Sequence, residues 1–364
     1  YHSKKVNVIQ NDARNFIQHT KNKYDLIVYG MLDSHSSLSG KGGIRLDSYV
    51  YTVESFKEAR KTLTNDGYLS LSFNLSEAQL GFKIYAMLTE AFDGKEPLVI
   101  SFFEQSIDKF KMQPYAFLIG KNIDKNFKIE NPNVNQVTFF GNKSELSKID
   151  ISTDNWPFFY MSQKIWPKSY IFIIFLIFLS SFYLIHRTNP INRNNFSPVC
   201  FFLGAGFMLV ETKGITELAL VYGSTWFVVS IVIAYVLMMA YFANLLVIKK
   251  TKIKLWLVYL LIFFTIILGY LFTLIDHGTL SPIAQKILTP TMLTLPMFFS
   301  GLAFSKQLST EKAISIALSS NILGAIFGGL LEYNAMYFGY RSLYVLGFAM
   351  YLSAFIFSKK RFIN

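Results

Sequence analysis

The second half of the chain contains a series of long apolar runs, which constrain its fold more than any other feature. They lie at about 169–186, 224–247, 255–275, 289–305, 313–334 and 338–357. Each approaches the roughly 20 residues that an α-helix needs to cross the hydrocarbon core of a bilayer. Only 16% of the residues are charged, against about 25% in an ordinary soluble protein, which excludes a water-soluble globule. Residues 169–358 are therefore predicted to form an all-α polytopic membrane domain.

One further apolar stretch, 197–222, is interrupted by Glu211, Lys213 and Glu217. Charged groups are costly in the middle of a bilayer, so this stretch is either a span with polar ends or a re-entrant segment. A single crossing gives seven spans and puts residues 1–168 opposite the basic connections between helices. A re-entrant segment gives six spans and puts residues 1–168 on the same, cytoplasmic side. We favour six crossings and keep seven as the alternative.

The positive charge of the chain is concentrated in this hydrophobic half. Lys and Arg total 35 and Asp and Glu 23, which gives +12, and residues 169–364 hold 14 of the basic and five of the acidic residues, or +9. Basic clusters lie at 249–254, at Lys306 and Lys312, and in a tail, 359–364, that is predicted to be cytoplasmic. Clusters that flank spans indicate orientation in a lipid bilayer. They do not interleave with aromatic residues on one face, so no nucleic-acid partner is predicted. Homo-oligomerisation stays open.

Residues 1–125 show a different pattern, in which short apolar runs alternate with amphipathic stretches. Strands are predicted at 6–10, 25–30, 68–73, 97–103 and 114–120, and helices at about 13–20, 50–64 and 76–92. This order predicts a soluble α/β domain that ends in an antiparallel hairpin. Residues 126–168 are predicted to be an irregular linker.

The candidate ligand-binding segments of this domain follow its predicted strands, because ligands of open α/β sheets bind outside the carboxyl ends of the strands. These segments are 11–13, 30–35 and 73–74. No glycine-rich loop precedes a helix within residues 1–60, the chain opens with Tyr1, and its first methionine is Met31. We therefore expect an N-terminal part of the sheet to be missing from this chain.

Several short motifs resemble one family of transferases. They are NDARNF at 11–16, YDLIV at 24–28, YVYT at 49–52, ESF at 54–56 and LTNDGYL at 63–69. Others extend along nearly the whole chain: LDSH at 32–35, RLDSY at 45–49, DNWPF at 154–158, GAGF at 204–207, ETKG at 211–214 and GSTW at 223–226. Together they resemble the membrane-embedded members of the spermidine synthase, or polyamine aminopropyltransferase, family. The resemblance implies a partial Rossmann-like domain with the fold of S-adenosylmethionine-dependent methyltransferases.

The resemblance also implies where a donor binds. Asp12 holds the position that contacts the adenine of decarboxylated S-adenosylmethionine, and Ala13 lets the ring approach. S-adenosylmethionine itself is the alternative donor. Either would act as a co-substrate, and no permanently bound cofactor is expected. Aspartate is also a favoured N-cap residue, so Asp12 alternatively caps the helix predicted at 13–20.

The acceptor side of the predicted site departs from the family pattern. Soluble members carry an aspartate directly after the second of these strands, where this chain has Gly30, so that Asp33 is the remaining carboxylate of the loop. Asp33 is expected to orient a small amine such as a polyamine and to take its proton. His35 is a second candidate base.

Four residues before the second predicted helix are candidates for the wall of the acceptor pocket. They are Arg45, Asp47, Tyr49 and Tyr51. Asp47 would pair with an ammonium group and Arg45 with an anionic one. The alternative is a surface Arg–Asp pair with two tyrosines that pack in the ordinary way.

Ionisable residues within apolar stretches are functional candidates by default. Glu211, Lys213 and Glu217 form such a polar cluster, for which the alternative is an ion cluster that satisfies itself. The small residues of 324–329 (GAIFGG) predict close helix packing. No histidine pair has metal-ligand spacing, so no metal is predicted.

Two functions fit these residues. The first is a membrane-embedded transferase that moves an aminopropyl or methyl group from the donor to an amine, in the cell inner membrane with the transferase domain in the cytoplasm. The second is a catalytically inactive, transferase-like sensor or transporter of polyamines or related small molecules. Gly30 and the intramembrane charges motivate the second.

Overall fold

A computed structural model describes residues 5–30, 46–101, 110–122, 134–188, 196–223, 226–249, 253–274, 282–310 and 313–360. The chain divides into two compact units, Tyr1–Lys164 and Ile165–Asn364. We call the first the sheet unit and the second the membrane unit. This division supports the coarse prediction of a sheet-containing domain followed by a helical one.

The sheet unit has five strands and four α-helices among its described residues. The strands are β1 (Tyr24–Gly30), β2 (Leu63–Leu75), β3 (Leu98–Ser101), β4 (Gln113–Gly120) and β5 (Asn135–Val137). The helices are α1 (Ala13–His19), α2 (Val53–Thr62), α3 (Ala78–Ala91) and α4 (Lys143–Leu146), with 3-10 turns at Leu46–Tyr51 and Phe139–Gly141.

The strands form one mixed sheet in the order β1-β2-β4-β3-β5. The only parallel pair among them is β1 with β2, which are joined through α2, and the remaining pairs are antiparallel. The predicted terminal hairpin is confirmed, because β3 pairs antiparallel with β4 and places Leu98 opposite Leu118.

The core of the sheet unit lies between α2, α3 and the central strands. Thr52 caps α2 through its side chain, and Val53, Phe56 and Ala59 fall on one face of that helix. All three are buried, as are Leu69, Leu71 and Phe73 on alternate positions of β2. Burying one such side chain contributes about 1.5–3 kcal/mol, so this contact between helix and strand stabilises the βαβ unit.

The first predicted strand, 6–10, is wrong. These residues have no regular secondary structure, and Val6, Val8 and Ile9 are exposed. An apolar alternation forms a strand only where a neighbouring strand accepts its backbone hydrogen bonds, and 6–10 pairs with no described strand. β1 therefore forms one edge of the described sheet, with Leu26 and Val28 exposed.

The described part of the predicted linker, 126–168, is mostly irregular but contains two short regular elements. β5 and α4 lie within it, and its side chains Trp156, Phe158 and Phe159 are buried in the sheet unit. A three-residue strand and a four-residue helix are too short to show a periodic pattern, which is why the sequence did not reveal them.

The membrane unit consists of long helices. They are α5 (Lys168–Thr188), α6 (Pro198–Tyr222), α7 (Trp226–Ile248), α8 (Leu255–Phe272), α9 (Pro282–Thr310), α10 (Ile314–Leu331), the short α11 (Ala335–Phe338) and α12 (Ser342–Lys360). Within the described residues, six segments are long and apolar enough to cross a membrane: Pro198–Tyr222, Ser230–Ile248, Leu255–Phe272, Ile287–Thr310, Ile314–Phe338 and Ser342–Lys359. The apolar part described for α5, Lys168–Ser181, is shorter.

The re-entrant interpretation of 197–222 is wrong, because α6 is one continuous helix of 25 residues. Its charged residues do not break it: Lys213 and Glu217 are buried and pair with each other one turn apart. A charge that is paired inside a helical bundle avoids most of the cost of meeting lipid.

Contacts along α6 give the directions of its neighbours. The N-terminal and C-terminal halves of α6 meet the corresponding halves of α10: Ser197 contacts Ser320, and Thr212 contacts Glu332. The two helices are therefore parallel. In contrast, α12 is antiparallel to α6, since Phe202 packs on Phe357 and Lys213 lies over the ring of Tyr344.

The predicted close packing of small residues is confirmed at the contact between α6 and α10. A Cβ atom added to Gly324 would lie 1.8 Å from the carbonyl oxygen of Phe201, and one added to Gly204 would lie 2.1 Å from that of Asn321. Gly328 approaches Ala205 in the same way. Glycine at these positions lets the two backbones touch, which is how small residues stabilise helix pairs in membranes.

Candidate functional site

Three segments of the sheet unit meet where β1 ends. β1 finishes at Tyr29 and Gly30, α2 begins after its cap Thr52, and Arg14 in the first turn of α1 reaches Thr52. We call this region the carboxyl edge. Helices α1 and α2 both present their N-terminal ends to it, where Asp12 accepts the N–H of Asn15 and Thr52 accepts the N–H of Ser55.

Arg14 is the centre of the carboxyl edge. Its side chain is buried, and one terminal nitrogen donates to Thr52 Oγ1 at 3.1 Å. The other terminal nitrogen lies 3.0 Å from Asp154 Oδ2, and Nε lies 3.0 Å from Glu58 Oε2. A buried guanidinium paired with two carboxylates fixes α1, α2 and the segment around Asp154 in one arrangement.

A third carboxylate completes this network. Thr52 Oγ1 donates to Asp154 Oδ1 at 2.7 Å, and the backbone N–H of Asp154 donates to Glu54 Oε2 at 3.0 Å. Burial, with the neighbouring charge of Asp154, raises the pKa of Glu54. The network thus contains three carboxylates and one guanidinium, which gives it an excess of negative charge when all are ionised.

Tyr29 closes the inner side of the edge. It is buried and packs edge-on against Phe56 at 5.5 Å between ring centroids. Burial raises its pKa to about 12, while the nearby Arg14 acts in the opposite direction. Its hydroxyl therefore stays protonated at physiological pH.

The two predicted donor-binding residues lie at this edge. Asp12 caps α1, where its carboxylate accepts the backbone N–H of Asn15 at 2.9 Å, so the capping alternative is confirmed. Asp12 is half-buried, and Ala13 packs partly against the core. A capping carboxylate retains further lone pairs, so contact with a nucleoside stays a prediction for both residues.

The two predicted wall tyrosines lie in the core. Tyr49 and Tyr51 are each 2% exposed. Tyr51 stacks on Phe159 at 4.5 Å and meets Phe73 edge-on. The burial of both tyrosines matches the alternative of ordinary packing and gives neither ring an open face toward an acceptor.

The remaining acceptor-side candidates lie beyond what the structure describes in side-chain detail. Asp33, His35 and Arg45 fall outside the described residues, and Asp47 is described only as a backbone position in the turn Leu46–Tyr51. In the chain, Asp33 and His35 follow Gly30, the last residue of β1, by three and five positions.

The sequence did not reveal two sets of side-chain contacts in the sheet unit, the Arg14–Asp154 pair and the contacts of Lys83. The partners Arg14 and Asp154 are 140 positions apart. Lys83 on α3 is 1% exposed, donates to the carbonyl oxygens of Phe158 at 2.7 Å and Met161 at 2.5 Å, and lies 4.3 Å from the ring centroid of Trp156. Burial lowers the pKa of Lys83 well below its usual value. The only available signal was that Arg14 and Asp154 both belong to motifs of the resemblance.

The membrane polar cluster separates into two contacts. Lys213 and Glu217 form an ion pair, and Thr212 donates to Glu332 Oε2 at 3.2 Å. Glu211 is half-buried on the same helix. Lys213 lies three residues past the middle of α6, or about 4.5 Å along its axis. The Lys213–Glu217 pair matches the alternative of an ion cluster that satisfies itself.

Among the described residues, no group of three or more His, Cys, Asp or Glu side chains is placed to hold a metal ion. Comparison of the chain with family models, with curated proteins and with solved structures gave no match.

Proposed function

We propose that the chain is an integral membrane protein whose sheet unit is transferase-like and binds a small nucleoside or amine ligand at the carboxyl edge. One observation carries this proposal: the N-terminal ends of α1 and α2 and the end of β1 converge around the buried Arg14. In folds of this class, ligands bind outside the carboxyl ends of parallel strands. The excess of carboxylates there favours a ligand that carries an amine.

The first form of the proposal is alkyl transfer of the spermidine synthase type, in a partial Rossmann-like domain. Asp12 and Ala13 would hold decarboxylated S-adenosylmethionine or S-adenosylmethionine. The nitrogen lone pair of the acceptor would attack the carbon beside the sulfonium. A C–N bond forms, the C–S bond breaks, and the thioether leaves with the bonding pair. Asp33, with His35 as second base, would take the proton that the acceptor loses.

This form requires the sheet unit on the cytoplasmic side of a cell inner membrane, where such a donor is made. At the end of β1, Gly30 stands where soluble family members have an aspartate. Asp33 would therefore be the carboxylate of the following segment that accepts the proton. Polyamine synthesis is the activity that the resemblance implies for this arrangement.

The second form is ligand binding without transfer, which would make the chain a sensor or transporter of polyamines or related small molecules. Gly30 favours it, because a neutral amine needs a positioned base to lose its proton. The burial of Tyr49 and Tyr51 favours it as well, because it removes two of the four predicted wall residues from the acceptor side.

Product analysis on the purified full-length protein in detergent separates the two forms. The protein is incubated with isotope-labelled donor and a panel of amines, and products are weighed by mass spectrometry. Alkyl transfer predicts an aminopropylated or methylated amine that disappears in Asp33→Asn. The control is Asp93→Asn, an exposed carboxylate after α3. Binding of the donor or of an amine with no product supports the second form, and absence of binding by the donor and by every amine contradicts both.

A further inference from the structure

The two ends of the membrane unit differ sharply in charge. One end contains the α5–α6, α7–α8 and α9–α10 connections and the C-terminal end of α12. Direct contacts join these parts: Ser305 near the end of α9 donates to Asn244 near the end of α7, and Lys306 donates to the carbonyl oxygen of Ile253 before α8. We call it the basic end.

Six Lys and Arg residues that the structure describes lie at the basic end, and five more have sequence positions between or after the helix ends that meet there. They are Arg187, Arg193, Lys249, Lys250, Lys252, Lys254, Lys306, Lys312, Lys359, Lys360 and Arg361. The five named by sequence position alone are Arg193, Lys250, Lys252, Lys312 and Arg361, which lie outside the described residues. The other three Lys and Arg residues of 169–364 are Lys213 inside α6, Lys286 and Arg341.

The opposite end is aromatic. Trp166 stacks on Tyr337 at 4.3 Å, and Tyr170 packs against Tyr333 at 5.4 Å. Arg341, before α12, donates to the carbonyl oxygen of Thr273 at the end of α8, so the two helix ends meet here. Tryptophan and tyrosine concentrate where a protein passes from lipid to water. We call this the aromatic end.

Helix α5 joins the aromatic end to the basic end. Its first turn contains Tyr170, at the aromatic end, and its last residue is Thr188. The 18 positions between them rise about 27 Å at 1.5 Å per residue, which is close to the thickness of a hydrocarbon core. The next described segment begins at the basic end, where the N–H of Ser197 donates to Ser320. Among the described residues, the seven long helices α5 to α10 and α12 therefore alternate in direction.

We propose that the basic end lies at the cytoplasmic, anionic lipid surface and the aromatic end at the opposite surface. Short connections rich in Lys and Arg stay in the cytoplasm, and juxtamembrane Lys and Arg are attracted to anionic headgroups. Ile165, where the membrane unit begins, is next to Trp166 and thus at the aromatic end. The chain that precedes Ile165 then enters the membrane from the non-cytoplasmic side.

This orientation rests on the membrane unit alone and does not depend on the ligand of the sheet unit. Its consequence is that the sheet unit lies outside the cytoplasm. A donor made in the cytoplasm does not reach a site there, so the orientation favours binding without transfer over alkyl transfer. In detergent, both ends of the membrane unit are open to solvent, so donor binding is measured independently of orientation. Loss of donor binding would therefore contradict the proposed function without contradicting this orientation.

Labelling of single introduced cysteines with a membrane-impermeant maleimide on bacterial spheroplasts tests the orientation. The natural thiol, Cys200, is buried and is not expected to react. The protein without an introduced cysteine is the control for this. Lys148→Cys on the sheet unit and Lys168→Cys at the aromatic end are expected to react on intact spheroplasts. Lys249→Cys and Lys359→Cys at the basic end are expected to react only after permeabilisation.

Two results would overturn the proposal. Reaction of Lys249→Cys on intact spheroplasts with protection of Lys148→Cys would mean that the basic end faces outward. Reaction of Lys148→Cys and Lys249→Cys under the same condition would mean that the sheet unit and the basic end share a side and that the number of crossings between them is even. Labelling in detergent gives the full reaction of each variant for comparison.

Discussion

Arg14 places a full positive charge where only 4% of the residue is exposed. A buried guanidinium stabilises the fold only while carboxylates pair with it. The carboxylates of Glu58 and Asp154 likewise depend on Arg14. We expect Arg14→Met to lower the stability of the sheet unit by about 3 kcal/mol, the cost of breaking a buried pair. Thermal unfolding of the full-length protein in detergent, followed by near-ultraviolet circular dichroism, measures this loss.

The matched control for Arg14 is Lys57→Met. Lys57 pairs with Glu90 at 3.4 Å, but the two side chains are 45% and 55% exposed. Exposed pairs contribute about 0–1 kcal/mol. Equal losses in the two variants would contradict the central role of Arg14.

Glu54 gives a prediction about pH. Its pKa is raised in the folded protein by burial and by Asp154, so the folded state holds the proton more tightly than the unfolded state. The stabilising contribution of the protonated form is complete below the usual value of 4.5 and is lost as pH rises through the folded pKa. Glu54→Gln keeps an oxygen that can accept the N–H of Asp154.

We therefore expect Glu54→Gln to raise the unfolding temperature at pH 7 and to leave it unchanged below about pH 4. Melting curves of wild type and variant across this range measure the difference. A gain that persists unchanged at low pH would show that the titration of Glu54 is not its cause.

At the scale of elements, Lys83 connects α3 to the segment that carries Trp156. The ammonium donates to two backbone carbonyl groups of that segment and lies over the indole ring. Lys83→Met preserves the aliphatic stem and leaves both carbonyl groups without this donor. We expect the segment to loosen, with greater quenching of tryptophan fluorescence by acrylamide. Lys148→Met, an exposed lysine, is expected to leave quenching unchanged, and equal quenching in both variants would contradict the connection.

The contact between α6 and α10 depends on the absence of a side chain at Gly324. Gly324→Ala adds a Cβ that would overlap the backbone of Phe201, whereas Gly329→Ala adds one that meets nothing within 4 Å. We expect the first variant to lower the unfolding temperature of the membrane unit and the second to leave it unchanged or raise it, since alanine favours helix by about 1 kcal/mol. Equal behaviour of the two variants would contradict close packing at this pair.

The elements show how far sequence reasoning reaches. The spans were predictable because 18 or more apolar residues in succession have few other stable arrangements in water. The interpretation of α6 failed because a sequence shows that Lys213 is charged but not that Glu217 neutralises it inside a bundle. The prediction of a strand at 6–10 was wrong for a related reason. Alternation of apolar residues shows which face of a strand would be buried, but not whether a second strand pairs with it.

At the scale of the whole molecule, the chain combines a mixed sheet of five described strands with a bundle of alternating membrane helices. The position of the candidate site follows from chain order only for the end of β1, since the strand predicted before residues 11–13 is absent. The Arg14–Asp154 pair that organises it could not be predicted, because its partners are 140 residues apart and belong to elements with no local pattern in common.

Binding at the carboxyl edge is tested most directly by titrating labelled decarboxylated S-adenosylmethionine into the full-length protein in detergent, with Asp12→Asn as the variant. Asparagine caps a helix about as well as aspartate, so this change removes the charge and keeps α1. We expect saturable binding to wild type and to Asp93→Asn and at least a tenfold weaker affinity in Asp12→Asn. Equal affinity in all three proteins, or no binding to wild type, would contradict a ligand site at this edge.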